Sequence, residues 1–285
     1  MIYDSVRGSF KSNSRLQGCL TSFQVFISLL FVKTMSVPHI VEKTCCTPET
    51  IAEKLKVLCL HGYRQNGDVF RAKTGSFRKI VHKWAQFTYI TAPHKVILVD
   101  NLDALSDPDI GQSKDEEQYG WFFNRDDKTY RGIREGGPAI GFEESVDLVE
   151  DIFEKEGPFD GVLGFSQGAC FLGLLCDLQH RGLTKNIKFN FAIMASGFKS
   201  QCWPHLKYYS DRMSLPSLHI FGETDKVIPT DMSEALSLCF DEPRVARHSG
   251  GHYLPASAPQ KHEYQSFFKV QLLQKGHREP DNRKE

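Results

Sequence analysis

The chain has no excess of charge of either sign: 35 lysines and arginines balance 35 aspartates and glutamates. Without a basic surplus there is no field to draw in nucleic acid or an anionic membrane, so neither is expected as a partner, and an uncharged small molecule is the easier match. Long hydrophobic runs are also missing. Leu20 to Val32 comes nearest, yet Thr21, Ser22, Gln24 and Ser28 interrupt it, and it falls short of the roughly 20 residues that a spanning helix takes, so stable membrane insertion is not expected. No C-x-x-C pair occurs among the eight cysteines, Cys19, Cys45, Cys46, Cys59, Cys170, Cys176, Cys202 and Cys239. That absence argues against a zinc site or a thiol-redox pair, and a chain of this size needs no disulfide staples; buried free thiols in a reducing compartment are expected. Repeats and low-complexity tracts are absent too. What remains is a globular composition, 285 residues with 40% hydrophobic and 25% charged, enough to bury one sizeable core.

The two ends read differently from the middle. Residues 1–52 are expected to be a poorly ordered extension, 53–273 the folded domain and 274–285 a charged tail. Residues 1–34 read as an upstream extension before Met35, which places the protein in the cytoplasm, with the nucleus also open. Arg7, Lys11 and Arg15 among many serines, with Asp4 the sole acidic residue there, make a mitochondrial presequence the lesser alternative; they suit it better than a secretory signal, which would want a shorter lead-in.

From residue 55 onward, short apolar runs alternate with longer amphipathic ones. Strands are expected at Leu55–Leu60, Phe87–Thr91, Gly161–Phe165, Phe189–Ala195, Ser217–Phe221 and Arg244–His248, and helices at Phe70–Trp84, Phe142–Glu156, Gln167–His180, Thr230–Phe240 and Pro259–Leu273. Strands that are apolar along their length and spaced by helices belong to a mostly parallel sheet covered on both faces, an α/β fold whose functional loops gather at the strand carboxyl ends. Residues 95–141 break the pattern and read as a lid-like insertion. Its Trp121, Phe122 and Phe123 either anchor it to the core or line an apolar pocket.

Gly164-Phe165-Ser166-Gln167-Gly168 follows one of these apolar runs and precedes a helical one. This is the layout of a nucleophile elbow, where the serine backbone is strained and the flanking glycines spare a collision with neighbouring backbone. In a chain with 22 glycines the pentapeptide is a weak signal by itself, so its context has to carry it. A nucleophilic serine needs a base, and the base needs an acceptor that fixes its tautomer. Asp225 falls in the loop after the strand ending at Phe221, and His252 in the loop after the next strand, which reproduces the order serine, acid, histidine. Asp225 could instead only satisfy backbone donors at a helix start, and Glu223 competes for the acid. His219 and His248 lie in or at the end of strands, and His94 is the remaining rival to His252. An oxyanion would be held by the backbone N–H of Gln167 and, from the Leu60-His61-Gly62-Tyr63 loop, by that of Tyr63. His61 reads as a structural residue of that loop rather than a second base.

Leu60-His61-Gly62-Tyr63-Arg64-Gln65, Phe70 to Phe77, Gly120-Trp121-Phe122-Phe123, Gly157 to Ala169, Leu215 to Pro229 and Ser249-Gly250-Gly251-His252 together resemble the small α/β-hydrolases called the family of serine hydrolases, over about residues 53–271. The resemblance implies an α/β-hydrolase fold and a carboxylic ester hydrolase whose triad carries over to Ser166, Asp225 and His252. It also implies no cofactor and a preference for medium- or long-chain unbranched esters. Trp121 and Phe122 are then tentative substrate-binding residues, and no metal is expected. Residues 1–34 have no counterpart in that pattern. An acyl thioesterase would use the same triad and pocket. A binding protein that keeps the fold without the chemistry is the alternative from another class; such proteins usually lack a triad member, and none is missing here.

Overall fold

The computed structural model describes residues 53–97, 117–130 and 134–278; expectations for residues 1–52, including Cys19, Cys45 and Cys46, and for 279–285 lie outside the described residues. In chain order the elements are β1 (Leu55–Leu60), α1 (Gly67–Lys73), α2 (Gly75–Val81), β2 (Ala85–Ile90), β3 (His94–Lys95), β4 (Tyr119–Gly120), α3 (Phe142–Glu156), β5 (Gly161–Phe165), α4 (Gln167–His180), β6 (Phe191–Ala195), β7 (Ser217–Gly222), α5 (Thr230–Ser237), β8 (Arg244–His248) and α6 (Ala258–Arg278). Six strands form one sheet in the order β2-β1-β5-β6-β7-β8, and every pairing in it is parallel. The short β3 and β4 pair antiparallel as a separate ribbon.

Side-chain alternation along β1 splits the core in two. Leu55, Val57 and Cys59 face a layer closed by Phe70 of α1, Phe77 of α2 and Tyr264, Phe267 and Phe268 of α6. Leu58 and Leu60 face the other layer, built on Phe153 of α3, Phe171 and Leu175 of α4 and Leu236 of α5. Covering both faces is what makes β5 and β6 buried at every position and why they read as unbroken apolar runs. Cys59, Cys170, Cys176, Cys202 and Cys239 are buried free thiols, and burial raises the Cys170 and Cys176 thiols well above their ordinary value.

Several elements differ from the expected bounds. The single helix expected over Phe70–Trp84 is two, because Thr74 turns its hydroxyl onto the Phe70 carbonyl at 2.8 Å and pairs it with the Tyr89 hydroxyl at 2.6 Å, a local bond that competes with helix continuation. The first of the two starts early because Asn66 caps it, its side chain accepting from the Val69 N–H. β6 begins at Phe191, not Phe189, since both backbone groups of Phe189 are taken by the Gln179 side chain of α4. α5 stops at Ser237 because the N–H groups of Cys239 and Phe240 fall back on the Leu236 and Ser237 carbonyls. At the other end, α6 runs beyond Leu273 to Arg278; there Lys275 reaches Asp160, at the entry to β5, at 3.1 Å. No helix among the described residues is long and apolar enough to cross a membrane.

Candidate active site

β5 delivers Ser166. It sits between β5 and α4 with φ 53 and ψ −117, a left-handed backbone that a non-glycine residue adopts only under strain. The flanking glycines are there for space: a Cβ on Gly164 would lie 2.5 Å from the Gly168 carbonyl oxygen, and one on Gly168 2.3 Å from the Leu60 carbonyl oxygen. The helix thus starts hard against the end of β1, and Gln167, its first residue, has an N–H that precedes the intrahelical ladder.

The loop after β1 crosses directly over this elbow. A Cβ on Gly62 would be 3.3 Å from the Ser166 Cβ, which puts the Gly62 backbone against the serine. His61 fixes the loop: its Nε2 accepts from the Ala92 N–H at 2.9 Å, so the proton is on Nδ1 and is donated to the Gly62 carbonyl at 2.7 Å. Burial pushes its pKa down to about 4, against the opposing pull of the Gly62 carbonyl. With both nitrogens committed, His61 has the structural role expected of it.

On the far side of the sheet, the turns after β7 and β8 interlock: the Glu223 N–H donates to the His248 carbonyl and the Thr224 N–H to the Gly250 carbonyl. This brings Asp225 and His252 together, with Nδ1 of the ring 2.8 Å from Oδ2 of the carboxylate. The other oxygen, Oδ1, accepts from the N–H groups of Val227 and Ile228, each at 2.9 Å. Asp225 thus takes the ring on one oxygen and backbone donors on the other, those donors lying in the turn before α5 and not in the helix itself. Burial alone would raise the carboxyl, but His252, the Ile228 N–H and the Ser196 hydroxyl outweigh it and hold the group below its ordinary value. The rivals are engaged elsewhere: His94 with the Gly141 carbonyl and His219 with the Ser217 hydroxyl, while His248 accepts from the Gly250 N–H and Glu223 is exposed. The His252 ring lies 4.8 Å, centre to centre, from the ring of Phe165, the residue before the serine.

Trp121 and Phe122 have no exposed surface. Trp121 stacks on Phe171 of α4 at 5.0 Å, and Phe122 packs edge-on to Tyr130, Phe142 and His205. This is the anchoring arrangement rather than the wall of an open pocket, so the tentative substrate-binding role of these rings has no support in their placement. The insertion is instead stitched to both loops at the serine. Tyr119 bonds Arg64 and Gln65 through the backbone, the Trp121 indole donates to the His61 carbonyl at 2.8 Å, and the Gln167 amide takes the Trp121 N–H at 3.0 Å while donating to the Phe122 carbonyl at 2.7 Å. Replacing Gln167 by methionine keeps the length and leaves both of those buried backbone groups unpaired. A loss of about 2–6 kcal/mol in urea unfolding is expected, at roughly 1–3 kcal/mol for each orphaned group; a change below 1 kcal/mol would mean the insertion is held by its rings alone.

Ser196, just after β6, was not legible as a site residue. Its hydroxyl donates to Asp225 Oδ2 at 3.0 Å, and the only sequence signal was its position at a strand carboxyl end. Among the described residues no three His, Cys, Asp or Glu side chains gather to hold a metal ion.

Over residues 50–264 the sequence matches the family described as Serine hydrolase (FSH1). An esterase of Anopheles gambiae is 53% identical over 222 residues, covering 78% of this chain and 80% of that protein. Esterase OVCA2 of Danio rerio is 40% identical over 222 residues, covering 76% and 98% respectively. Acyl-protein thioesterase 2 of Zea mays superposes with a TM-score of 0.50 at 17% identity, over 78% of this chain and 95% of that one, a likeness of fold alone. The parallel sheet, its two helical layers and the serine at the β5–α4 turn are those of the α/β-hydrolase fold, and by sequence the chain belongs to the serine hydrolase (FSH1) family.

Proposed function

We propose that the protein is a serine esterase that hydrolyses carboxylic esters through an acyl-enzyme, with Ser166 as nucleophile, His252 as base and Asp225 as the acceptor that orients it. The observation that carries this reading is the Asp225–His252 pair at 2.8 Å beside a serine held at φ 53. In this reading Ser166 attacks the ester carbonyl as His252 takes its proton, and Asp225 steadies the imidazolium that forms. The N–H groups of Tyr63 and Gln167 hold the oxyanion, each such donor being worth about 10² to 10³ in rate. His252 then gives its proton to the departing alcohol, and a water deprotonated by the same ring releases the acid. No cofactor takes part in this chemistry. The relatives named as esterases support it.

The preference for medium- or long-chain esters, and the cytoplasmic placement, remain parts of the proposal. Support for the chain-length preference is the family resemblance, not Trp121 or Phe122, whose rings are enclosed. A fluorophosphonate probe is expected to label the protein and not its Ser166→Ala variant, and p-nitrophenyl esters are expected to give kcat/KM rising from acetate to octanoate. An unlabelled, inactive protein overturns the esterase reading; a profile that peaks at acetate overturns the chain-length preference alone.

A further inference from the structure

The carboxylate behind His252 is held by a side chain that the proposed chemistry does not use. Ser196 is fully buried, with its backbone at φ 47, and its hydroxyl donates at 3.0 Å to Asp225 Oδ2, the same oxygen that His252 Nδ1 approaches at 2.8 Å. Oδ1 is filled by the two backbone donors of Val227 and Ile228, so the serine and the imidazole share one oxygen. A glycine would take this left-handed backbone without strain, and a serine here costs the fold something. Ser196 is no second nucleophile, because its hydroxyl proton is directed at a carboxylate and not at an imidazole nitrogen.

We propose that Ser196 is a positioning residue that limits how strongly Asp225 supports a protonated His252, and so sets how far into acid the site stays active. This rests on the esterase reading above. An oxygen that accepts from two donors gives each a weaker bond than it would give alone. The loss matters most when the imidazole carries a charge, since bonds to a charged donor are the stronger ones. With the hydroxyl present, the imidazolium gains less from Asp225. Removing the hydroxyl leaves Oδ2 to the imidazolium.

Other groups in this field are His248 at the end of β8, Glu223 and the exposed Lys226 beside Asp225, and Phe165 on the elbow side, which is uncharged. His248 feels burial first and then both Asp225 and Glu223, with a net lowering of its pKa. These groups are common to every variant compared, so their contribution cancels in a difference.

The test is the pH profile of kcat/KM on p-nitrophenyl butyrate for the unsubstituted protein, Ser196→Ala and Ser196→Gly, with thermal midpoints and fluorophosphonate labelling measured alongside. The acid limb is expected to move to higher pH by about half a unit to one unit in both variants, while Ser196→Gly melts above Ser196→Ala because glycine accepts the left-handed backbone. A limb that stays in place in both variants overturns the inference. So does a limb displaced in the alanine variant and restored in the glycine variant, which would make backbone strain the cause. Label on Ser166 with an unmoved limb leaves the esterase reading standing and defeats this inference alone; no label on the unsubstituted protein defeats both.

Discussion

Ser166→Ala is expected to lower kcat/KM on p-nitrophenyl esters by about 10⁴- to 10⁶-fold, the range seen when a nucleophile that works as a unit with its base is removed. Alanine keeps the Cβ, and with it the contacts around an elbow whose spacing is set by Gly164 and Gly168, so the thermal midpoint should stay within a few degrees. The serine hydroxyl is not needed to fill space or to cap α4, which has no side-chain cap bond at Ser166. Asp225→Asn should follow with a loss of about 10⁴-fold. The amide can still accept from Val227 and Ile228 through its oxygen, but its NH₂ would face His252 Nδ1 and select the wrong tautomer. Ser196→Ala, by contrast, should leave the plateau rate within about tenfold, since its hydroxyl bonds the acid and neither the base nor the nucleophile. That ordering separates the assigned nucleophile from the other serine near the acid. If Ser166→Ala retains more than a tenth of the rate, Ser166 is not the nucleophile.

The second large effect is on stability in acid. His61, His205 and His219 are each at most 2% exposed. Burial pushes His61 and His205 down to about 4 and His219 to about 3, from an ordinary 6.5; a bond to the Gly62 carbonyl opposes the lowering at His61, and Lys207 adds to it at His205. Between pH 6.5 and 4 the unfolded chain therefore takes up protons at these positions that the folded chain refuses, and stability falls as the pH falls. Above 6.5 both states are neutral and the contribution is constant. A proton refused over one pH unit is worth about 1.4 kcal/mol, so each histidine contributes on the order of 3 kcal/mol once the pH is near 4. Three together rival the 5–15 kcal/mol of a whole domain. Asp225 acts in the same direction, because its lowered carboxyl supports the fold above its ordinary range and ceases to do so in strong acid. The thermal midpoint should be flat above pH 7 and drop steeply between about pH 6 and 4, and His219→Gln should reduce the slope by about a third. A midpoint that holds steady down to pH 4.5 would show that these rings are wetter than their burial implies.

The sheet was legible because its signal is local. Strands covered on both faces must be apolar nearly throughout, as Leu55–Leu60 and Gly161–Phe165 are, and these two, the helices Phe142–Glu156 and Gln167–His180 and the edge strand Arg244–His248 have the expected bounds. The candidate triad was legible for a related reason: the order of serine, acid and histidine follows from the order in which the strands enter the sheet, and each residue stands at a strand carboxyl end. Two of the misread elements are ended by a partner outside the element, Thr74 reaching Tyr89 on the neighbouring strand and Gln179 claiming both backbone groups of Phe189.

By itself the sequence determined the parallel α/β architecture, the elbow at Ser166 and the pairing of Asp225 with His252, since each is written in short-range periodicity, in glycines that avoid a backbone collision, or in chain order. Only the tertiary structure decided the rest. It turned Trp121 inward against Phe171 of α4 and Phe122 against Phe142 of α3, gave the Gln167 side chain to an insertion 46 residues away, and set Ser196 on the acid across a separation of 29. These choices depend on which buried donor meets which acceptor after the layers pack. A buried polar group must find a partner wherever the fold places one, and the residue types along the chain do not say where that will be.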